Sequence, residues 1–388
     1  MMIFQAQAYI PKIIFIVGAL WSLSHKFRLA MSVRVFVVSL CICGLLGTVV
    51  GSFYLNDNPF SGMTLFVIWP VLSLPIIANA TTENSFKLVI KAICIAHCFI
   101  VAYDLSFAIT SIIGISIPNI YPSVEFPFSI YSSSTRMNFP NLNALTFSTP
   151  CLALLLLSDY KYGVSRLSQY VILAFTLILF FISGRRSVMM QIALMPFLAF
   201  FFQHGMETKM RKSYIRLLSI LIFIILFSLG YVYFNHPDIF NGYLQEFMDA
   251  FDPSEEPVKF LQHHSLMDAF AMKPLFGHGL GAYFYDPGRS VYIESMELQY
   301  QFTLARVGII GFTFYLLGYW GLFFYTYKLA SIKCDKFLHA LNFGYLFMLM
   351  SHATNPVLNN FDLLLSYFLI LSRVNYIDSY RKEQNLEI

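Results

Sequence analysis

Long apolar runs constrain this chain more than any other feature. Stretches such as residues 35–55 and 301–327 carry almost no charge, and a helix needs about 20 such residues to cross a hydrocarbon layer roughly 30 Å thick. The whole chain is 57% hydrophobic and only 12% charged, whereas soluble domains are about 25% charged. Because hydrocarbon offers the backbone no hydrogen bonds, these runs predict helices. We therefore expect an all-α polytopic membrane protein that forms one integral membrane domain over residues 1–388.

Eleven runs are long enough to be read as transmembrane helices. They lie near residues 5–23, 35–55, 62–80, 88–116, 142–158, 168–184, 188–204, 217–234, 301–327, 337–353 and 362–375. Between the eighth and ninth runs, residues 235–300 form a large polar loop. Apolar residues at helical spacing in this loop, namely Phe247, Phe251, Leu266 and Phe270, predict short helices lying against the membrane surface.

The distribution of basic residues gives an orientation. With about eleven spans, alternate loops hold most of the 25 lysines and arginines, and basic loops stay on the cytoplasmic side. The N-terminus is then expected outside and the C-terminus in the cytoplasm. The loops of residues 117–141 and 235–300 face outward. The first run is followed by His25 and Lys26 instead of a cleavage site, so we expect it to remain as a span.

The first candidate group is the sequence Ser-Gly-Arg-Arg at residues 183–186, which ends the sixth run. Arginine costs about 2.5 to 3.5 kcal/mol at the centre of a membrane helix, so Arg185 and Arg186 need compensation near the hydrocarbon. The two side chains either reach lipid phosphates or hold a substrate diphosphate, whose oxygens match the guanidinium fork.

The second candidate group runs from Lys273 to Gly281 inside the large loop. Pro274 and three glycines at alternate positions predict a helix end followed by a tight path with positive φ. We expect this turn to present backbone N–H groups near a substrate. A dinucleotide site is not expected, because no strand precedes the glycines.

The third candidate group leads into the ninth run. Glu297 and Tyr300 are three residues apart and are predicted to share one face of a helix. A carboxylate at this position either serves as a general base, pairs with Arg306, or caps the helix. Glu294 is a second carboxylate in the same segment.

Three histidines, His263, His264 and His278, lie in the large loop, but no cysteine or carboxylate stands at a familiar ligand spacing from them. We therefore expect no metal site. The net charge of +4 is attributed to the cytoplasmic loops, and no nucleic-acid partner is expected.

The order of these groups resembles the O-antigen polymerase and ligase superfamily. The resemblance covers roughly residues 170–320: the Ser-Gly-Arg-Arg sequence, the large loop, Pro-Leu-Phe-Gly-His-Gly-Leu-Gly at residues 274–281, and Gly-Ile-Ile-Gly at residues 308–311. It implies a C-type membrane glycosyltransferase fold in the bacterial inner membrane. It also implies metal-independent transfer, without a cofactor, of a lipid-diphosphate-linked glycan on the periplasmic face.

The resemblance also implies residue roles. Ligases of the superfamily typically carry a histidine where this chain has Glu297, so a polymerase is expected. Lys259 stands where the superfamily commonly has an arginine. The expected catalytic base is Glu297, with Glu294 in reserve. The residues expected to bind substrate, chiefly its diphosphate, are Arg185, Arg186, Lys259, Arg289, Arg136, His278 and Tyr300.

A polymerase of this kind would join undecaprenyl-diphosphate-linked repeat units, which serve as both donor and acceptor. Its other expected partners are membrane lipid and a chain-length regulator protein. Two alternatives stay open at this point. One is an O-antigen ligase, which transfers the finished glycan to lipid A core. The other is a flippase or transporter without enzymatic activity, for which two related halves would be expected.

Overall fold

The chain folds mainly into helices. The computed structural model describes residues 9–24, 28–80, 82–113, 142–158, 166–183, 186–202, 257–355 and 361–380, with isolated positions between these ranges. The helices before the large loop are α1 (Tyr9–Leu23), α2 (Met31–Phe53), α3 (Trp69–Asn79), α4 (Glu83–Ile113), α5 (Leu142–Leu157), α6 (Arg166–Ser183) and α7 (Arg186–Phe202). The later elements are α8 (Pro257–Met272), β1 (Phe284–Asp286), β2 (Val291–Ile293), α9 (Gln299–Leu316), α10 (Leu322–Lys333), α11 (Lys336–His352) and α12 (Phe361–Asn375).

Short π-helical turns extend three of these helices. Residues Thr64–Ile68 lead directly into α3, Leu317–Gly321 join α9 to α10, and Tyr376–Tyr380 continue α12. Insertions of this kind are frequent at functional sites. The joint between α9 and α10 packs against α2.

Apolar helices confirm the expected class of an all-α membrane protein. Within the described ranges, three helical segments are long and apolar enough to cross a membrane: Met31–Phe53, Glu83–Thr110 and Gln299–Lys333. Shorter helices lie at the other predicted spans, except that the eighth, residues 217–234, falls mostly outside the described residues. The number of spans and their orientation stay predictions.

The chain divides into two compact units. The first comprises Met1–Ala8, Lys87–Glu255 and Ala330–Phe347. Inside it, the buried imidazole of His97 on α4 lies 2.8 Å from Ser148 Oγ of α5 and 2.8 Å from Thr176 Oγ1 of α6. Both ring nitrogens are therefore occupied, and the histidine ties three helices together.

The second unit comprises Tyr9–Phe86, Glu256–Leu329 and Met348–Ile388. Inside it, α2 packs along α9, α1 and α12 pack against α3, and α8 packs against α9. This unit contains residues 257–300 of the large loop.

The large loop contains a helix, as expected, and also an unexpected hairpin. Strands β1 and β2 pair antiparallel, with Tyr285 opposite Tyr292. Leu266 is fully buried, and Phe270 packs in the same cluster as Phe302 of α9, so the apolar face of α8 lies on the protein. The other two predicted apolar positions, Phe247 and Phe251, lie outside the described residues.

Candidate functional site

The segment after α8 inserts into a break in α9. Gly308 has φ 63° and ψ −176°, which interrupts the helical hydrogen bonds around it. The segment supplies replacement bonds: His278 N donates to Ala305 O at 3.0 Å, and Gly279 N donates to Arg306 O. In return, Ile309 N donates to Pro274 O at 2.8 Å. These bonds fix the middle of the large loop to the broken helix.

Glycine is required at each alternate position of this segment. Gly277, Gly279 and Gly281 have φ of 70°, 83° and 77°, a left-handed conformation that costs other residues about 1 to 2 kcal/mol. A Cβ at any of them would also lie less than 3.0 Å from backbone atoms of the segment that faces it in the same protein. The prediction of a tight backbone path with positive φ is confirmed.

The expectation that this segment presents its N–H groups to a substrate is wrong for the residues at its centre. Besides the two bonds to α9, Gly277 N donates to Lys273 O at 3.0 Å and Leu280 N donates to Gly47 O at 2.8 Å. The imidazole of His278 is occupied as well, because Nε2 lies 2.8 Å from Ala269 O. The segment therefore acts as a clamp that positions α8.

Residues that the sequence analysis did not single out complete this clamp. Leu280 sits against Gly47, Gly51 and Gly62, each of which has no room for a Cβ beside it. The amide of Asn56 donates to His278 O at 3.0 Å and to Leu280 O at 2.8 Å. The glycine spacing in α2 was a visible signal of close packing, whereas nothing local marks Asn56.

A charged cluster lies beside the N-terminus of α9. Glu297 Oε2 is 3.8 Å from Lys259 Nζ on α8, and Glu297 Oε1 is 3.8 Å from Arg289 Nη2 in the hairpin turn. The three side chains remain 42%, 33% and 55% exposed, respectively, so solvent and substrate can reach them. Three residues named from the sequence therefore meet at one place.

The hairpin holds its arginine in this cluster. Asp286 is fully buried and lies 3.8 Å from Arg289 Nε. The carboxylate accepts from Gln262 Nε2 at 2.9 Å and from Gly288 N at 3.0 Å. A carboxylate anchored to α8 thereby positions the hairpin turn against Glu297.

Glu294 forms a separate pair. Its Oε1 lies 3.8 Å from Arg306 Nη2, and the same nitrogen donates to Glu294 O at 2.7 Å and to Ala282 O at 3.2 Å. A cavity of about 240 Å³ opens beside this pair. Arg306, which the sequence offered as a partner for Glu297, therefore pairs with Glu294 instead.

The predicted helical face shared by Glu297 and Tyr300 is wrong. Helix α9 begins at Gln299, so Glu297 precedes it and points to α8 and the hairpin. The hydroxyl of Tyr300 donates to Leu349 O at 2.8 Å and accepts from Trp320 Nε1 at 3.0 Å. This tyrosine links helices of the second unit and is not part of the charged cluster.

Three further cationic candidates were named from the sequence. Arg136 and Arg185 lie outside the described residues. Arg186 is the first residue of α7, and only its backbone is described. Among the described residues, no group of three or more His, Cys, Asp or Glu side chains is arranged to hold a metal ion.

Comparison with known proteins identifies no relative: no family model, no curated protein and no solved structure matches this chain.

Proposed function

We propose that this protein is an O-antigen polymerase of the bacterial inner membrane. It would be a glycosyltransferase that uses a glycan linked to undecaprenyl diphosphate as its donor and needs no metal ion. The observation that carries the proposal is the exposed cluster in which Glu297 lies 3.8 Å from both Lys259 and Arg289. A carboxylate between two reachable cations provides the two functions that the transfer requires.

The reaction joins the growing glycan to a newly arrived repeat unit. A hydroxyl oxygen of the acceptor sugar attacks the anomeric carbon of the donor. The bond from that carbon to the phosphate oxygen breaks, and undecaprenyl diphosphate leaves with the electron pair. Glu297 takes the hydroxyl proton as general base, a role worth about 10²- to 10⁴-fold in rate.

The two cations would stabilise the leaving group. Negative charge builds up on the diphosphate as the bond breaks, and fixed positive groups lower the energy of that transition state. The same cations neutralise Glu297 in the absence of substrate. A bound diphosphate would compete for them, which would leave the carboxylate available to accept a proton. Arg185 and Arg186 would add further phosphate contacts.

The protein would cross the inner membrane about eleven times, with the cluster facing the periplasm and the C-terminus in the cytoplasm. Donor and acceptor would arrive along the lipid, and a chain-length regulator protein would set the product size. The distribution of apolar and basic residues along the chain supports the membrane crossings and their orientation, and the resemblance implies the substrates and the regulator.

Gel profiles of lipopolysaccharide test the proposal. A strain that lacks the gene should carry core with a single repeat unit, and the wild-type chain should restore the ladder. The same strain complemented with Glu297→Gln should still show the single-unit profile, because this variant lacks the proposed general base. Asp268→Asn, which changes an exposed carboxylate on α8, is the matched control and should restore the ladder.

Other profiles would refute a polymerase. A bare core with polymer on the lipid carrier would indicate a ligase. Loss of both surface glycan and periplasmic lipid-linked polymer would indicate a transporter. Full ladders from a normally inserted Glu297→Gln variant would remove the catalytic role of this residue.

The cations have their own test. Lys259→Ala should shorten or abolish the ladder, because it removes a positive charge that would stabilise the leaving diphosphate. Lys259→Arg keeps that charge and should retain the ladder. Equal ladders from wild type and Lys259→Ala would remove Lys259 from the diphosphate site.

A further inference from the structure

A cavity separate from the charged cluster opens along the first half of α9. Its volume is about 240 Å³, and within the second unit it is lined by Ser61, Gly62, Leu65, Phe66, Leu280 and residues of the segment 294–307. Its polar lining includes Ser61, Glu294 and Thr303. A space of this size holds one small polar ring or about eight water molecules at roughly 30 Å³ each.

Two polar atoms of the residues lining this cavity have no hydrogen-bond partner within the described part of the chain. They are Nε of Arg306 and Oγ of Ser61, both buried. Buried polar groups in native proteins are almost always paired, and an exception calls for a ligand or an ordered water. One of these atoms is a donor, and the other can donate or accept.

The charge of the cavity argues against an anionic ligand. Arg306 already faces the carboxylate of Glu294 at 3.8 Å, and its Nη2 donates to two backbone carbonyls. Its guanidinium carbon also lies 4.2 Å from the centroid of the Phe302 ring. The side chains that line the cavity therefore combine a neutralised ion pair, two buried polar atoms without a partner among the described residues, and an aromatic ring. A neutral ring that carries hydroxyl groups matches all three features.

We infer that this cavity binds the terminal sugar ring of the acceptor glycan, an inference that rests on the proposed function. Glu294 and Ser295 border the cavity and stand three and two residues, respectively, before Glu297 in the chain. A sugar held there is delivered beside the proposed base. The diphosphate of the donor stays with the cations of the charged cluster.

A binding experiment tests this inference without relying on turnover. The probe is the radiolabelled, phosphate-free repeat oligosaccharide released from the host strain's lipid carrier, measured by equilibrium dialysis against the full-length protein in detergent. Thr303→Leu adds bulk to the wall and narrows the cavity, so it should weaken binding at least ten-fold. Thr313→Leu makes the same change on the exposed side of α9 and should leave binding within two-fold. Equal binding by both variants overturns the inference.

A second variant covers failure of the first to insert. Ser61→Ala removes one unpaired hydroxyl and adds no bulk, so binding should fall at least three-fold. Unchanged binding overturns the inference. Inhibition of polymerisation by inorganic diphosphate should be the same for Ser61→Ala and wild type, because diphosphate uses the separate cationic cluster. Weaker inhibition in the variant would contradict two separate sites.

The outcomes separate this inference from the proposed function. Normal polymerisation by wild type, with equal oligosaccharide binding by both threonine variants, would overturn the cavity assignment alone. Oligosaccharide binding that Thr303→Leu loses, without any extension of lipid-linked units by wild type, would overturn the polymerase and leave a sugar site. Absence of oligosaccharide binding to wild type would overturn the cavity assignment.

Discussion

Replacing Gly279 by alanine should disrupt the clamp that holds the large loop against α2 and α9. Gly279 has φ 83°, and its N–H donates to Arg306 O. An added Cβ would lie less than 3.0 Å from backbone atoms of Gly51 in α2. Backbone atoms of a helix cannot turn away as a flexible side chain does, so the clamp and α2 must separate.

The expected destabilisation combines two contributions. A left-handed conformation costs a non-glycine residue about 1 to 2 kcal/mol. Forcing extra volume into a close-packed contact costs about 1 to 3 kcal/mol. Their sum, about 2 to 5 kcal/mol, is a large part of a typical total stability of about 5 to 15 kcal/mol.

Heat unfolding in detergent, followed by the fraction of protein that remains monodisperse, measures this effect. The control is Gly18→Ala on α1, where the nearest atom to the added Cβ is Ile76 Cδ1 at 3.9 Å. Alanine there should be neutral or stabilising, since glycine inside a helix is less stable than alanine by about 0.5 to 1 kcal/mol. Equal stability of Gly279→Ala and Gly18→Ala would refute the steric argument.

Three further substitutions test contacts elsewhere in the chain. His97→Leu removes two contacts between helices and should destabilise the first unit by about 1 kcal/mol, since such bonds average about 0.6 kcal/mol each in membranes; an unchanged unfolding temperature would contradict this. Arg373→Lys keeps the charge but loses the two-pronged contact with Glu83 at 2.6 and 3.3 Å, so heat unfolding should show a loss of about 1 kcal/mol. Asn56→Asp removes both bonds that its amide donates to the clamp, and it should destabilise by at least about 2 kcal/mol. A melting temperature equal to that of wild type would show that these bonds contribute nothing.

The sequence predicted those features of the fold that depend only on residues close together in the chain. Hydrocarbon forces each apolar run to satisfy its own backbone, so helices could be placed from local composition alone. The glycines at positions 277, 279 and 281 likewise predicted positive φ, because only glycine adopts it without strain. The hairpin was missed because its strands are only three residues long, too short for an alternating pattern to stand out.

The candidate site was only partly predictable, because its contacts join segments that are far apart in the chain. Glu297 was placed on the helix of Tyr300 because their spacing fits a helical turn, yet α9 begins two residues later, at Gln299. The start of a helix depends on where flanking groups find partners, and here Glu297 faces Lys259 and Arg289 instead. Helical spacing alone could not predict where α9 begins or which cations Glu297 faces.

The sequence by itself determined a membrane protein built of helices, with a glycine-rich turn and several charged residues in one long loop. Only the tertiary structure decided which of those charges meet. Lys259, Arg289 and Glu297 lie on a helix, a hairpin turn and a segment before α9, and they converge because the glycine clamp fixes α8 to α9. The cavity beside Arg306 arises in the same way, since its walls come from segments far apart in the chain. Local periodicity records the conformation of each segment, whereas contacts between distant segments depend on how the whole unit packs.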